Sequence, residues 1–148
     1  MSKQNCRMAG IQMVSGPYVA DNLEAAGRLI DEAVDQGAEL VVLPEYFPVI
    51  GAADDDRLRV REKFGSGPMQ DWLAATAQRY GIWVFAGSIP LTASVPDRMR
   101  NAMLVFDPDG ICIERYDKVH LFGFKNGDES YDEAAFIEPG SQVVSAMT

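Results

Sequence analysis

Apolar residues at helical spacing alternate with short apolar runs in the first half of the chain. Between residues 19 and 34, apolar side chains recur every three or four positions with charged residues between them, and Gly37 follows as a stop signal. Apolar runs at residues 8–14 and 40–43 flank this predicted helix and indicate buried strands. A strand, a helix and a second buried strand in this order predict a βαβ unit with a parallel sheet.

The same alternation returns once, after a polar stretch at residues 51–66. Gly67 and Pro68 open a second predicted helix, whose apolar face ends before Gly81. Residues 82–86 form the next continuous apolar run and the third predicted strand. The repeat therefore extends the predicted sheet by one helix and one strand.

A β-hairpin is predicted after this part of the sheet. Residues 101–106 and 111–116 are apolar runs on either side of Asp107-Pro108-Asp109-Gly110, whose residue types suit a type I turn. Residues 117–140 are rich in Gly, Asp, Asn and Glu without a clean period, which predicts a long loop, and such loops are usually functional or disordered. Residues 142–144 resemble the start of another strand.

Composition and charge narrow the classes of partner. The 148 residues are 47% hydrophobic and 24% charged, which is typical of one globular domain, and we treat residues 1–148 as that domain. The net charge of −9 argues against nucleic acid or an anionic membrane as a partner, since both require a basic field. One dense basic run is interrupted or flanked by acidic residues and is predicted to be a solvated face: Arg57, Arg59, Arg61 and Lys63, with Asp54, Asp55, Asp56 and Glu62.

Cysteine content and the N-terminus point to a cytoplasmic protein. Cys6 and Cys112 are far apart and lie in apolar stretches, so they predict buried thiols in a reducing compartment rather than a disulfide framework. Residues 1–5 lack an apolar signal core, and no apolar run of 18 residues occurs.

The sequence lacks the residues that several kinds of catalytic site require. The single histidine, His120, and two distant cysteines cannot supply the ligands of a zinc site. The segment Gly65-Ser66-Gly67 follows no predicted strand and lacks the Lys-Ser/Thr ending of a phosphate-binding loop. Ser88 lies outside the Gly-x-Ser-x-Gly pattern of a serine hydrolase. We therefore expect neither a metal ion nor an organic cofactor.

Two charged residues directly follow predicted strands and are candidates for catalysis. Glu45 comes after the buried run 40–43 and Pro44, which places a carboxylate at the carboxyl end of a parallel strand, where open α/β sheets have their active sites. Lys118 follows the second strand of the predicted hairpin. Position alone also allows a solvent-facing glutamate and an ordinary surface lysine.

Five segments together resemble the motifs of the nitrilase, or carbon–nitrogen hydrolase, superfamily in both order and spacing. They are residues 8–13 (MAGIQM), 37–46 (GAELVVLPEY), 115–122 (RYDKVHLF), 131–133 (YDE) and 138–140 (EPG). The resemblance covers nearly the whole chain. It implies an α/β fold, the αββα sandwich of the nitrilase type, of which this chain would form about the first half.

The resemblance also implies a function and a set of residues. Members hydrolyse non-peptide C–N bonds of small amides, carbamoyl compounds or nitriles with a Glu-Lys-Cys triad and no cofactor, and homodimers are common. By this resemblance, Glu45 is the general base, Lys118 stabilises the oxyanion, and Glu133 is a second glutamate that orients the substrate. Neither Cys6 nor Cys112 lies in the nucleophile's motif, and the family's cysteine would fall beyond Thr148.

Two hypotheses of different classes follow. The first is the amino-terminal part of a carbon–nitrogen hydrolase of the small-amidase type, inactive alone because its cysteine is missing. The second is a non-catalytic homologue that acts by association with another chain, since half a sandwich would expose strand edges and apolar faces. A flavodoxin-like binding domain is a third alternative, which would require a bound nucleotide or flavin.

Overall fold

A computed structural model describes residues 5–51 and 55–148, without the side chain of Asp55. Residues 1–4, part of the N-terminus predicted to lack a signal core, and Asp54, part of the predicted solvated face, lie outside these ranges. Within the ranges, no helix is both long enough and apolar enough to cross a membrane.

Three parallel strands confirm the predicted βαβ pattern. They are β1 (Met8–Gly10), β2 (Leu40–Val42) and β3 (Trp83–Phe85), paired in that order. Between β1 and β2 the chain forms α1 (Val19–Asp35), as its apolar spacing predicts. Between β2 and β3 it forms the short α2 (Asp55–Arg59) and then α3 (Pro68–Tyr80), which begins after Gly67 and ends at Gly81 in a left-handed conformation.

Three antiparallel strands complete the sheet around one long central strand. They are β4 (Ile89–Thr92), β5 (Met99–Phe106) and β6 (Cys112–Asp117). β3 and β4 lie one after the other along the same edge of β5, and β6 pairs with its opposite edge. The turn between β5 and β6 is the predicted one, with the Gly110 N–H donating to the Asp107 carbonyl (2.9 Å).

The helices cover one face of this sheet. Alternate strand residues such as Val41, Val84 and Leu104 pack with Ile30 of α1 and Leu73 of α3 in one fully buried core. Several side chains on the other face are only partly covered. Phe85, Met103 and Tyr116 share that face and line an apolar groove of about 410 Å³ with residues 143–146.

Three expectations about secondary structure were wrong. The predicted loop 117–140 contains a hairpin of β7 (Gly123–Asn126) and β8 (Glu129–Asp132) and then a 3-10 helix (Glu133–Ala135), which the pattern missed because both strands are largely exposed and polar. The first strand covers residues 8–10 rather than 8–14, and residues 142–144 form no strand.

The environments of several residues also differ from expectation. Cys6 is exposed rather than buried because it precedes the edge strand β1, and Cys112 is half-buried. Glu62 belongs to no solvated face: it is buried, and its carboxylate accepts the N–H groups of Met69 (2.6 Å) and Gln70 (3.2 Å) at the start of α3. Arg57 is likewise partly buried.

Candidate active site

Glu45 lies in a tight turn directly after β2, at the carboxyl edge of the parallel strands. The Leu43 N–H still donates to the Phe85 carbonyl (2.9 Å), so sheet pairing continues almost to the turn. Tyr46 then adopts a left-handed backbone (φ +52°), and its N–H donates to the Ser88 hydroxyl (2.9 Å). Non-glycine residues in this conformation are uncommon and concentrate at functional sites. The turn leaves the Glu45 side chain 55% exposed.

Gly87 allows the chain after β3 to pass directly against this turn. Its φ is +56°, and a Cβ at this position would overlap the backbone carbonyl oxygens of Leu43 and Pro44. Only glycine tolerates both the conformation and the close approach. The contact brings Ser88 to the Tyr46 N–H and so ties the two strand ends together.

Lys118 follows β6 and reaches two carboxylates with one ammonium group. Its backbone N–H donates to the carbonyl of Asn101 on β5 (2.9 Å), which fixes the residue at the end of the hairpin. Its Nζ lies 3.0 Å from Glu45 Oε1 and 2.9 Å from Glu133 Oε2. The structure therefore brings together all three residues that the sequence predicts to be catalytic.

Glu133 is the buried member of this group and is only 4% exposed. Its backbone N–H donates to the Phe122 carbonyl (3.0 Å), and the Phe122 N–H donates back to Glu133 Oε2 (2.7 Å). This reciprocal pair closes the base of the β7–β8 hairpin. Lys118 donates to Oε1 as well (3.2 Å), so both carboxylate oxygens have partners, as a buried charge requires.

The two carboxylates control the charge of Lys118. Partial burial lowers the pKa of Lys118, but the hydrogen bonds to Glu133 and Glu45 outweigh burial and hold the pKa above its ordinary value. Lys118 is thus a fixed positive charge at neutral pH. Burial raises the pKa of the neighbouring Tyr46, so its phenol stays protonated and adds no charge to the site.

Asn101 is a member of the site that sequence reasoning missed. It lies on β5 and is 2% exposed, and its Nδ2 donates to Glu45 Oε1 (2.7 Å). The only local signal is one polar residue at the start of the apolar run 101–106. Its partner is 56 residues away in the sequence, so no spacing rule could have connected them.

A cavity of about 260 Å³ opens beside these groups. Its polar wall is formed by Glu45, Ser88, Asn101 and Lys118, while Met103 and other apolar residues line the rest. A small molecule in this cavity would meet a carboxylate, which can accept a proton, and an ammonium group, which can stabilise negative charge. This pairing suits acid–base chemistry at a polar carbonyl.

Neither cysteine contributes to this cavity. Cys6 is exposed before β1, and Cys112 lies at the far end of β6 from Lys118, where burial raises the pKa of its thiol. Among residues 5–51 and 55–148, no group of three or more His, Cys, Asp or Glu side chains is arranged to hold a metal ion.

Comparison with known proteins gives consistent matches along nearly the whole chain. The carbon–nitrogen hydrolase family model matches residues 7–147. Deaminated glutathione amidase of Yersinia enterocolitica is 32% identical over 148 residues, which cover 98% of this chain and 51% of that protein. Omega-amidase NIT2-B of Xenopus laevis is 32% identical over 144 residues, which cover 90% of this chain and 48% of that protein.

Solved structures show the same similarity. The NitFhit protein of C. elegans matches with a TM-score of 0.79 at 26% identity, over 93% of this chain and 34% of that chain. The chain thus spans about half the length of the curated relatives it matches.

Proposed function

The chain belongs to the carbon–nitrogen hydrolase family, and we propose that it supplies the general base and the oxyanion-stabilising cation for hydrolysis of a small amide. The expected α/β fold of the nitrilase type is confirmed by the structural match. One observation carries the proposal about the site: the Lys118 ammonium contacts both Glu45 and Glu133 and lines the cavity.

Glu45 is the proposed general base. The nucleophile is proposed to be a cysteine thiol beyond Thr148, where the family's motif order puts it. The Glu45 carboxylate takes the thiol proton, and the resulting thiolate attacks the amide carbonyl carbon. Because the Glu45 side chain is half exposed and lines the cavity, it is accessible to a group that enters the cavity.

Lys118 is the proposed electrostatic partner of the tetrahedral intermediate. Attack moves an electron pair onto the carbonyl oxygen, and the ammonium group stabilises that negative charge without needing to reorganise. Glu133 holds the ammonium in place from its buried side, 2.9 Å away. The resemblance implies that Glu133 orients the substrate; its contacts also support a role in positioning Lys118 and, through the Phe122 backbone, the β7–β8 hairpin.

The second half of the reaction uses Glu45 again. Collapse of the intermediate breaks the C–N bond, and the protonated Glu45 gives its proton to the leaving ammonia. Glu45 then accepts a proton from water, whose oxygen attacks the thioester and releases the carboxylic acid and the thiol. The relatives are named as amidases, which favours an amide over a nitrile as the substrate.

Ammonia release by the protein purified at its native length tests this function. We expect small primary amides to yield ammonia and the matching acid, and nitriles to react more slowly. Lys118→Ala should lose about 10²–10³-fold in kcat, as removal of one oxyanion-binding donor does. Lys125→Ala, which removes an exposed lysine of β7, should retain activity. A Lys118→Ala variant with wild-type kcat would refute the assigned role.

Association with another chain is the second candidate function, and the uncovered sheet face favours it. Phe85, Met103 and Tyr116 are only partly buried there, and Met8 on the edge strand β1 is 64% exposed. Sedimentation of the 148-residue chain at increasing concentration tests this candidate. Growth in mass with concentration supports it, and a monomer at high concentration rejects it.

We also propose a cytoplasmic location and a homo-oligomeric state. The location is supported by the two unpaired cysteines, one of them exposed. The homo-oligomeric state is proposed only because homodimers are common in the family. Cell fractionation and size measurement of the native protein test the two proposals separately.

A further inference from the structure

We propose that Asn101 is a positioning residue that holds the Glu45 carboxylate against the Lys118 ammonium group. This inference rests on the proposed function of these two groups. Asn101 lies on β5 and is 2% exposed, so its backbone and side chain have little freedom. Among the described residues, it contacts the base through its side chain and the lysine through its backbone.

The hydrogen bonds of Asn101 define the geometry of the pair. Its carbonyl accepts the Lys118 N–H (2.9 Å), which fixes where the lysine side chain begins. Its Nδ2 donates to Glu45 Oε1 (2.7 Å), the same oxygen that Lys118 Nζ contacts at 3.0 Å. Two donors thus converge on one carboxylate oxygen, which leaves Oε2 of Glu45 as the oxygen available to take a proton in the cavity.

Glu45 needs such a restraint because the rest of its surroundings provide little. Its side chain is 55% exposed, and a half-exposed glutamate samples several rotamers unless a fixed group holds it. Glu133 holds the Lys118 ammonium, but this single group contacts two carboxylates and meets only one oxygen of Glu45, so it does not by itself define the orientation of the Glu45 carboxylate. The short amide of Asn101 comes from a largely buried strand at the centre of the sheet and is therefore the rigid member of the contact.

The second polar atom of Asn101 carries a cost in stability. Its Oδ1 is buried and has no hydrogen-bond partner among the described residues. A buried acceptor without a partner destabilises the folded state, and an apolar side chain at this position would avoid that penalty. A side chain that keeps this cost while its Nδ2 contacts the base is expected where function requires it.

A purely structural role makes a different prediction from a positioning role. If Asn101 served only to fill space, variants would lose stability and activity together and keep the Glu45–Lys118 contact in the folded fraction. If it positions Glu45, variants stay folded, bind substrate with a similar KM, and lose kcat.

The test uses Asn101→Ala and Asn101→Asp in the protein at its native length. Asn101→Asp keeps the size of the side chain but replaces the donor by an acceptor, so it also serves if Asn101→Ala does not fold. Gln70→Ala is the matched control, because it removes another buried side-chain amide with several hydrogen bonds at the start of α3, outside the cavity wall.

We expect both Asn101 variants to lose about 10²-fold in kcat with KM nearly unchanged, which is the effect of a displacement of about 1 Å in a catalytic group. Gln70→Ala should keep kcat. Wild-type kcat in either Asn101 variant, or an equal loss of kcat in Gln70→Ala, would overturn the proposal.

A crystal structure of each Asn101 variant separates this inference from the proposed function. We expect the Glu45 carboxylate to leave its 3.0 Å contact with Lys118 Nζ, while the contact of Lys118 with Glu133 at 2.9 Å remains. A Glu45 carboxylate that stays in place would overturn the positioning role. This readout holds even if the wild-type protein hydrolyses no amide.

Discussion

At the residue scale, the site combines one exposed and one buried carboxylate around a single lysine. The Glu133 side chain is 6% exposed and the Glu45 side chain 55% exposed, although each lies about one hydrogen bond from Lys118 Nζ. The buried carboxylate does not line the cavity, and its contact with the ammonium suits the proposed role of holding Lys118 in place. The exposed carboxylate can also exchange protons with a molecule in the cavity, so the difference in burial separates a supporting role from a chemical one.

Lys118→Ala should also destabilise the fold, because it leaves the buried Glu133 carboxylate without its cation. We expect the free energy of unfolding to fall by about 1.5–3 kcal/mol, the range for hydrogen bonds to charged groups. Urea unfolding at pH 7 measures this, with the exposed Lys125→Ala as the control. Equal stability of the two variants would contradict the pairing of Lys118 with Glu133.

The free energy of unfolding should fall at alkaline pH, because the pKa of Lys118 is raised in the folded state. The folded protein holds the pKa of Lys118 above its ordinary value, so the folded state binds this proton more tightly than the unfolded chain does. The stabilisation is fully present below about pH 10, near the unfolded pKa of a lysine, and is lost as the pH rises through the folded pKa. Urea unfolding between pH 8 and roughly pH 11 should show a steeper alkaline loss for the wild type than for Lys118→Ala. Parallel curves would contradict the shift.

Gly87→Ala should be more destabilising than an ordinary substitution of a left-handed glycine. The conformation alone costs about 1–2 kcal/mol for alanine. Gly81 at the end of α3 has a similar φ (+63°) and open space where a methyl group would lie, so Gly81→Ala carries only that cost, whereas a Cβ at Gly87 overlaps two backbone carbonyls. Thermal unfolding of both variants measures the difference, and equal effects would show that the close approach is not tight.

At the scale of elements, local pattern predicted the parts of the fold that have a period. α1 and α3 were predicted because their apolar faces repeat at helical spacing, and the turn at residues 107–110 because its residue types are specific. β4 was missed because it has only four residues, one of them Pro90, and its pairing with β5 determines it. This strand and the contact of Asn101 with Glu45 both depend on residues that are distant in the sequence. Local preference therefore could not predict them.

Glu62 shows how an element can depend on a distant side chain. Gly67 precedes α3 without a side-chain cap, and the carboxylate of Glu62 accepts the N–H groups of Met69 and Gln70 instead. A negative charge at the N-terminal end of a helix also interacts favourably with the helix dipole. Sequence pattern could not reveal this, since Glu62 lies among arginines and resembles a surface residue.

Glu62→Gln should therefore destabilise the protein by about 0.5–2 kcal/mol, the usual range for loss of a helix cap. Glu24→Gln is the control, because Glu24 and its partner Arg28 are both exposed on α1, and such pairs contribute less than about 1 kcal/mol. Chemical denaturation of the two variants measures the difference. A Glu62→Gln protein as stable as the control would show that the carboxylate does not cap α3.

At the scale of the whole molecule, the sheet joins the site to a face that the helices leave uncovered. Met103 and Tyr116 line both the site cavity and the apolar groove, so the two openings are neighbours that share these side chains. The family motifs predicted Glu45, Lys118 and Glu133 from sequence because their residue types and order are specific. Asn101, Ser88 and Gly87 have no such motif, and only the folded sheet shows that they surround the base.

The role of Glu45 as general base is tested most directly by kcat/KM for ammonia release from a small primary amide, measured on the protein at its native length. Glu45→Gln keeps the shape of the side chain but removes its ability to take a proton, so kcat/KM should fall by about 10²–10⁴-fold while unfolding is unchanged. Glu129→Gln, which alters an exposed glutamate on β8, should match the wild type. A Glu45→Gln protein with wild-type kcat/KM would contradict the assignment of this site.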